Sequence, residues 1–540
     1  MPSLPSSTSF RAFIAAVACF SGAALADDDE PAEVEGERIG TITVRVRDIF
    51  DVTRPGENKA VYRLANRLHV DTREDALRAQ LLFAEGDPYS RRVIDETERA
   101  LRKLRYVHEP HIRVLGRHDG VVDLEVSATD VWTLSPGLSY GRKGGANSSS
   151  IEFDDYNVFG TGKRLSLGAH STVDRSSKSL LWSDPNVFGT RWTTDARYSD
   201  NDDGNSAGLE IERPFYSFDT RWTAGMSLGM DDGVQHRYAL GERSDAFRRE
   251  SRAADLHFGT SRGWDDGWVR RVTTGLRFDE ATFSDAPRDT PSALLPADRS
   301  FAYPYAGIEF IQDDFATETN VEQIERTEDF EFGRRFFAEI GYADSGLGSN
   351  TSATMLRAEA SRGWRLHPHH SLFFGAGLSG RVEGGAARNT IGSASARYFW
   401  RTSTNSLFYA ALSGDFGHYL DLDNDLTLGG DSGLRGYPLR YQSGSSRALL
   451  TLEQRFYTDW YPFRLFHVGG AVFTDIGRSF GASSLDAPRL GTLRDVGFGL
   501  RFSNSRSALA NVLHVDVAFP LDGDSSIKNV QFLIETKRSF

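Results

Sequence analysis

Cysteine is almost missing: the 540 residues contain one, Cys19. A disulfide framework, a thiolate metal site and a cysteine nucleophile are excluded once that position is removed. Long apolar runs are missing too. Past the first turns of the chain, nothing approaches the roughly 18 consecutive apolar residues that a membrane-crossing helix needs. Positive charge is short. Sixty-two Lys and Arg stand against 75 Asp and Glu, for a net −13 at pH 7. That balance disfavours nucleic acid as a partner and shows no basic stripe for anionic lipid.

What is present starts with a leader. Arg11, the run Phe13-Ile14-Ala15-Ala16-Val17-Ala18-Cys19-Phe20 and the ending Ala24-Leu25-Ala26 are the parts of a secretory signal peptide. Residues 1–26 are therefore expected to be cleaved, taking Cys19 with them. Residues 27–37 are acidic, contain Pro31 and lack an apolar period, as a disordered lead-in does. From 38 to 130 the pattern is that of a small α+β domain. Ile39 to Val46 alternates as a strand. A helix opens at Asp71 or Thr72 and runs to Phe83, and Gly86-Asp87-Pro88-Tyr89-Ser90 breaks the chain. A second helix from Arg91 to about Arg105 sets Val93, Ile94, Thr97, Leu101 and Leu104 on one face. Two strands then flank the turn Arg117-His118-Asp119-Gly120, giving the order β-α-α-β-β.

After Trp132 helical spacing stops. Fifty-two glycines and 12% aromatics are concentrated in runs such as Ser371-Leu372-Phe373-Phe374-Gly375-Ala376-Gly377-Leu378, apolar on one parity and small or polar on the other. A strand with one face in lipid and one in water has that rhythm. Residues 131–540 thus read as an all-β transmembrane barrel. Asp155-Tyr156-Asn157-Val158-Phe159-Gly160-Thr161 returns as Asp184-Pro185-Asn186-Val187-Phe188-Gly189-Thr190, and Arg213-Pro214-Phe215-Tyr216-Ser217 follows more weakly. Turns repeating at hairpin distance build an up-and-down barrel. Ser199 to Asn205 has the composition of a solvated loop on the opposite rim. The runs number nearer fifteen than eleven before Arg435. Five follow it, near 448–457, 465–475, 493–503, 510–519 and 528–540. In the last, Val530, Phe532, Ile534 and the terminal Phe540 share a parity, as expected of a closing strand.

Several of these residues resemble a known family. Leu428-Gly429-Gly430-Asp431-Ser432-Gly433-Leu434-Arg435-Gly436-Tyr437 is similar to the lumen-loop motif of the bacterial surface antigen superfamily, and Phe473-Thr474-Asp475-Ile476-Gly477 to its F-x-D-x-G strand. The superfamily includes the BamA and TamA assembly barrels and the two-partner secretion transporters. The front domain resembles a polypeptide-transport-associated (POTRA) domain. The resemblance implies a sixteen-stranded barrel with both termini in the periplasm. It implies that Arg435 folds into the lumen and pairs with Asp475, beside an inward Phe473. Gly433 and Gly436 would let the loop tip bend, Tyr437 would pack on the wall, and Gly477 completes the strand motif. Glu453 and Arg455 share one strand face, where they either join a lumen charge network or form an ordinary inward pair.

Enzymatic readings fit poorly. Gly430-Asp431-Ser432-Gly433 lacks the continuation and the histidine segment of a serine protease. Gly477-Arg478-Ser479-Phe480-Gly481 has no helix after it. Asp421-Leu422-Asp423-Asn424-Asp425 carries Leu426 where a calcium loop needs glycine, and His367-Pro368-His369-His370 reads as a turn. No enzyme activity, cofactor or metal is expected. The expected role is insertion, assembly or translocation of polypeptides at the outer membrane of a Gram-negative bacterium. The partners expected are outer-membrane lipids, unfolded or extended clients, and periplasmic proteins or lipoproteins. A structural or adhesive surface barrel, or a passive pore, is the alternative.

Overall fold

The computed structural model describes residues 34–287, 292, 294–483, 490–508, 511–524, 527–537 and 539–540. The expected signal peptide and residues 27–33 of the lead-in lie outside them. The front domain consists of β1 (Arg38–Arg47), α1 (Ala60–Leu68), α2 (Glu74–Arg78), α3 (Arg91–Arg102), β2 (Val107–His118) and β3 (Val121–Asp130). Its sheet has the order β1-β3-β2, with β1 parallel to β3 and β2 antiparallel to it. Ile39, Ile42 and Val44 of β1 meet Ile94 and Leu101 of α3 and Val122, Leu124 and Val126 of β3 in one core. Each such side chain contributes about 1.5–3 kcal/mol when fully withdrawn from water.

Two expectations for this domain need correction. The helix expected from Thr72 to Phe83 is only Glu74–Arg78; Leu81 and Phe83 reach the core from irregular backbone instead. A further helix, α1, precedes it, so the order is β-α-α-α-β-β. A search for a buried apolar stripe passes over α1, because Tyr62 is its only buried residue.

From Leu134 to Lys537 the chain forms a closed barrel of 20 strands, each antiparallel to its neighbours. Fifteen precede Arg435 and five follow it. The sixteen implied by the resemblance is thus overturned: every alternating run before Arg435 that reaches the wall pairs in a continuous ladder. The five later strands are Ser446–Tyr457, Phe466–Phe480, Leu493–Asn504, Val512–Pro520 and Gln531–Lys537. Their outward side chains, including Val472, Phe498, Leu500 and Phe532, are exposed and apolar. Their inward ones include the buried charges Glu453, Arg455, Asp475, Asp495, Arg501 and Asp516. Among the described residues no helix is long and apolar enough to cross a membrane.

The repeated Asp-x-Asn-Val-Phe-Gly-Thr segments form two turns on the rim that faces the front domain. In each, the Asp carboxylate accepts from the Asn N–H two residues on, at 2.9 Å in the first and 3.0 Å in the second. The Thr hydroxyl caps the Val carbonyl at 2.7 Å in both. Between these clamps Phe159 and Phe188 are held at φ 53° and 52°, a left-handed conformation that costs a non-glycine residue free energy. Phe463, in Pro462–Arg464, repeats it at φ 57°. Gly160 must be glycine, since a Cβ there would stand 2.3 Å from the Asp71 carbonyl.

The front domain sits across this rim. Asn157 Nδ2 donates to Thr72 Oγ1 at 2.6 Å, the Phe218 N–H donates to Glu96 at 2.7 Å, and Arg506 reaches Glu57 at 3.1 Å. Beside it a hairpin, Phe315–Thr319 paired with Thr327–Glu331, leaves the wall and puts Val321 and Ile324 among Phe330, Phe399, Leu407, Tyr457 and Phe540 in the barrel mouth.

Candidate functional site

The loop between Ser406–His418 and Ser446–Tyr457 folds back into the barrel, and Arg435 lies at its inner turn. Its Nε and Nη2 donate to the two oxygens of Asp475 at 2.7 and 3.0 Å, and Nη1 donates to Glu453 at 2.9 Å. The guanidinium lies 3.3 Å above the Phe473 ring centroid. An aromatic face under the cation and two carboxylates around it give each guanidinium nitrogen an acceptor. Burial opposes the charge of Arg435, but Asp475 and Glu453 more than offset it and hold the group above its ordinary pKa. The spacing of the strand motif follows. Phe473 and Asp475 point inward on one parity, and Gly477 clears the loop, since a Cβ there would meet Leu428 at 2.8 Å.

The neighbouring positions fix the turn. The Gly436 N–H donates to Asp495 at 2.9 Å, and a Cβ on Gly436 would stand 2.6 Å from that of Asp495. Gly433 adopts φ +113° against Leu449. The Tyr437 hydroxyl donates to the Arg494 carbonyl at 2.7 Å and, being buried, is pushed up to about 12. The wall supplies more charge. Arg455 donates to Glu453 at 2.9 Å and to the Val321 carbonyl at 2.7 Å, so both Glu453 and Arg455 belong to the network. Arg501 is fully buried and pairs with Asp516, and Asp495 faces Asp475 in register across the ladder.

Phe540 departs from the expected parity. The last strand ends at Lys537, and the terminal ring turns inward, 5.0 Å from the Arg455 guanidinium and 5.6 Å from that of Arg501. Its N–H donates to the Glu322 carbonyl of the mouth hairpin at 2.6 Å. Closure falls to the last and first strands themselves. Among the described residues they share a single registered pair, Ile534 with Arg142, where the last strand and the one before it share seven.

No family model matches the chain, and no curated protein does. Among solved structures it is similar to CdiB from Acinetobacter baumannii, at 14% identity, 94% coverage of this chain and 74% of that one, with a TM-score of 0.45. It is similar to CdiB from Escherichia coli at 12% identity, 93% and 76% coverage and a TM-score of 0.47. BamA from Haemophilus ducreyi lacking POTRA domains 1–3 aligns at 13% identity, 93% and 85% coverage and a TM-score of 0.40.

Sequence reasoning missed the rest of the loop's attachments. The acidic run examined as a calcium site is a pair of clamps: Asp421 takes Arg381 at 2.8 and 2.9 Å, and Asp423 takes Arg299 at 2.9 and 2.6 Å. On the loop's other limb Arg440 grips Asp174 at 2.8 and 2.5 Å, with the Tyr238 hydroxyl donating to the same carboxylate at 2.6 Å. Burial would raise Asp174; hydrogen bonds from Arg440 and Tyr238 override it and hold the carboxyl at about 2. The available signal was an acid or arginine at each end of a long glycine-rich loop. Ser432, the decoy nucleophile, accepts from the Gly429 N–H at 2.8 Å and shapes the turn. Ser479 lies within the strand Phe466–Phe480.

Away from the latch, a lumen cavity of 890 Å³ runs along the wall. One side carries Glu309, Arg335, Arg357 and Glu359; the other is smooth with Gly375, Gly377, Ser393 and Ser395. The only group of metal-ligand type found among the described residues is His69, Asp71 and Asp130. Asp130 is already engaged there by the Thr72 N–H at 2.8 Å, the Thr72 hydroxyl at 2.6 Å and His69 at 3.0 Å.

Proposed function

We propose that this protein inserts, assembles or translocates polypeptides at the outer membrane of a Gram-negative bacterium, without catalysing a covalent reaction. The apolar outer face of a closed sheet needs a lipid solvent. The front domain, POTRA-like and periplasmic in this reading, receives an extended client by strand addition along the free edge of β2. Both mouths are obstructed, by the front domain and hairpin on one rim and by the latched loop from the other, which disfavours a passive pore.

The observation that carries the proposal is a chain of direct contacts from the front domain to the latch. Arg102 of α3 grips Asp329 of the hairpin at 2.8 and 2.7 Å. The hairpin's Val321 carbonyl accepts from Arg455, Arg455 donates to Glu453, and Glu453 accepts from Arg435. A client that pulls α3 off the hairpin therefore perturbs the group that fixes the loop. Among the described residues the nearby seam has the fewest registered pairs of any junction in the wall. Depletion of the protein tests the reading. Loss of particular outer-membrane or exported proteins from the envelope supports it; an unchanged envelope and exported protein set overturns it in favour of a structural barrel.

A further inference from the structure

The helix that the sequence hid, α1, has an apolar face that nothing in the structure covers. Val61, Leu64 and Leu68 are 61%, 52% and 63% exposed. Their spacing puts them on one stripe, within about 60° of arc. Tyr62 and Ala65, on the adjoining face, pack with Ile49, Phe50, Trp132 and Leu465 and fix the helix against the barrel. Lys59, Arg63 and Arg67 flank the stripe on the other side, all exposed and none in an ion pair among the described residues. The overall −13 charge thus conceals a short basic amphipathic segment.

Its position says what covers it. The Tyr62 hydroxyl donates to the Phe463 carbonyl at 3.1 Å, which holds α1 at the level of the rim turns. Those turns present Trp460, Phe463, Phe159 and Phe188 to the surroundings, Phe188 at 98% exposure. All three of these phenylalanines are kept in left-handed backbone, a strain that brings no internal packing in return. Exposed aromatics ringing the end of an apolar wall mark where the hydrocarbon gives way to headgroups. We propose that α1 lies in that interface as a membrane-surface helix. Val61, Leu64 and Leu68 enter the acyl boundary of the leaflet nearest the front domain, and Lys59, Arg63 and Arg67 meet anionic phospholipid headgroups. The front domain is then held to the bilayer as well as to the rim. This rests on the barrel being membrane-embedded, so the test reads both.

The near-absence of cysteine makes the experiment clean. In a Cys19→Ser background, full-length protein is labelled with an environment-sensitive fluorophore at Leu64→Cys, Leu68→Cys, the exposed α2 position Glu74→Cys and the outward barrel position Leu412→Cys. Each is reconstituted in bilayers of phosphatidylethanolamine and phosphatidylglycerol whose acyl chains are brominated. Blue-shifted emission and quenching are expected at 64, 68 and 412, and neither at 74. Quenching at 412 alone overturns the helix proposal and leaves the barrel reading standing; none at 412 overturns the barrel reading itself. In bilayers containing phosphatidylglycerol, Lys59→Gln with Arg63→Gln and Arg67→Gln is expected to weaken quenching at 64 while leaving 412 unchanged. No change at 64 refutes the headgroup contact. Quenching at 64 that appears only after another protein is added means the stripe serves a protein partner, and also refutes the proposal.

Discussion

At the scale of residues, the latch is a test of how much one guanidinium holds. Arg435 satisfies two oxygens of Asp475 and one of Glu453 in a site closed to water. Arg435→Ala strands Asp475 and leaves Glu453 to Arg455, so a loss of about 3–5 kcal/mol is expected, read as a lower urea midpoint for the folded barrel. Arg435→Lys keeps the charge but not the planar fork, and is expected to recover less than half of that loss. Pairing Arg435→Ala with Asp475→Asn should cost clearly less than the sum of the two changes, because neither charge is then left alone. Gly436→Ala should lower the midpoint too, by about 1–3 kcal/mol, since its methyl meets the Cβ of Asp495. Arg435, Asp475 and the two loop glycines were legible as motif letters. Asp495, Arg501 and Asp516 were not: inward polar residues are ordinary on every barrel strand, and only the register shows which of them face one another. Phe540 misled for a related reason. Parity was counted to the end of the chain, while the strand stops at Lys537 and the backbone turns inward.

Elements were legible wherever burial and period coincide. The stripe of α3 was read almost residue by residue, because Ile94, Thr97 and Leu101 face the core at helical spacing. The mouth hairpin escaped notice: strands of five residues with charged side chains carry little period. Its behaviour should depend on pH. Glu328 accepts from the Val321 and Glu322 N–H groups, yet burial outweighs these bonds and raises its pKa from 4.5 to about 7. A carboxyl whose folded value is raised binds its proton more tightly in the packed state. Its contribution is complete below about pH 4.5 and is lost as pH rises through about 7. Amide exchange over the hairpin, corrected for intrinsic rate, is therefore expected to lose protection between about pH 5 and about pH 8 (from just above the unfolded value to roughly one decade above the shifted one). Glu328→Gln should flatten that dependence. An equally steep profile in the variant would assign the pH response to another group.

For the whole molecule, the distribution of paired residues around the wall bears on the route that the proposed function would give a client. Twenty strands make a wide cylinder, and Glu242–Asp265 runs for 24 residues, more than twice the roughly 9–11 that a tilted strand needs to cross a bilayer. The closure is sparse by contrast, with Ile534 and Arg142 its only registered pair among the described residues. Cα atoms of paired strand residues stand roughly 4.5–5.5 Å apart, within reach of a disulfide. Arg142→Cys with Ile534→Cys, in a Cys19→Ser background, is thus expected to oxidise across the seam. If clients leave through the wall, the oxidised form should lose activity and reductant should restore it, while a control pair at Val517 and Phe532, which are also in register, should stay active throughout. If clients cross by the lumen, locking the seam should change nothing and Arg435→Ala should carry the defect instead. The two routes make opposite demands on the same wall, one needing the first and last strands to part and the other needing them to hold while the loop withdraws.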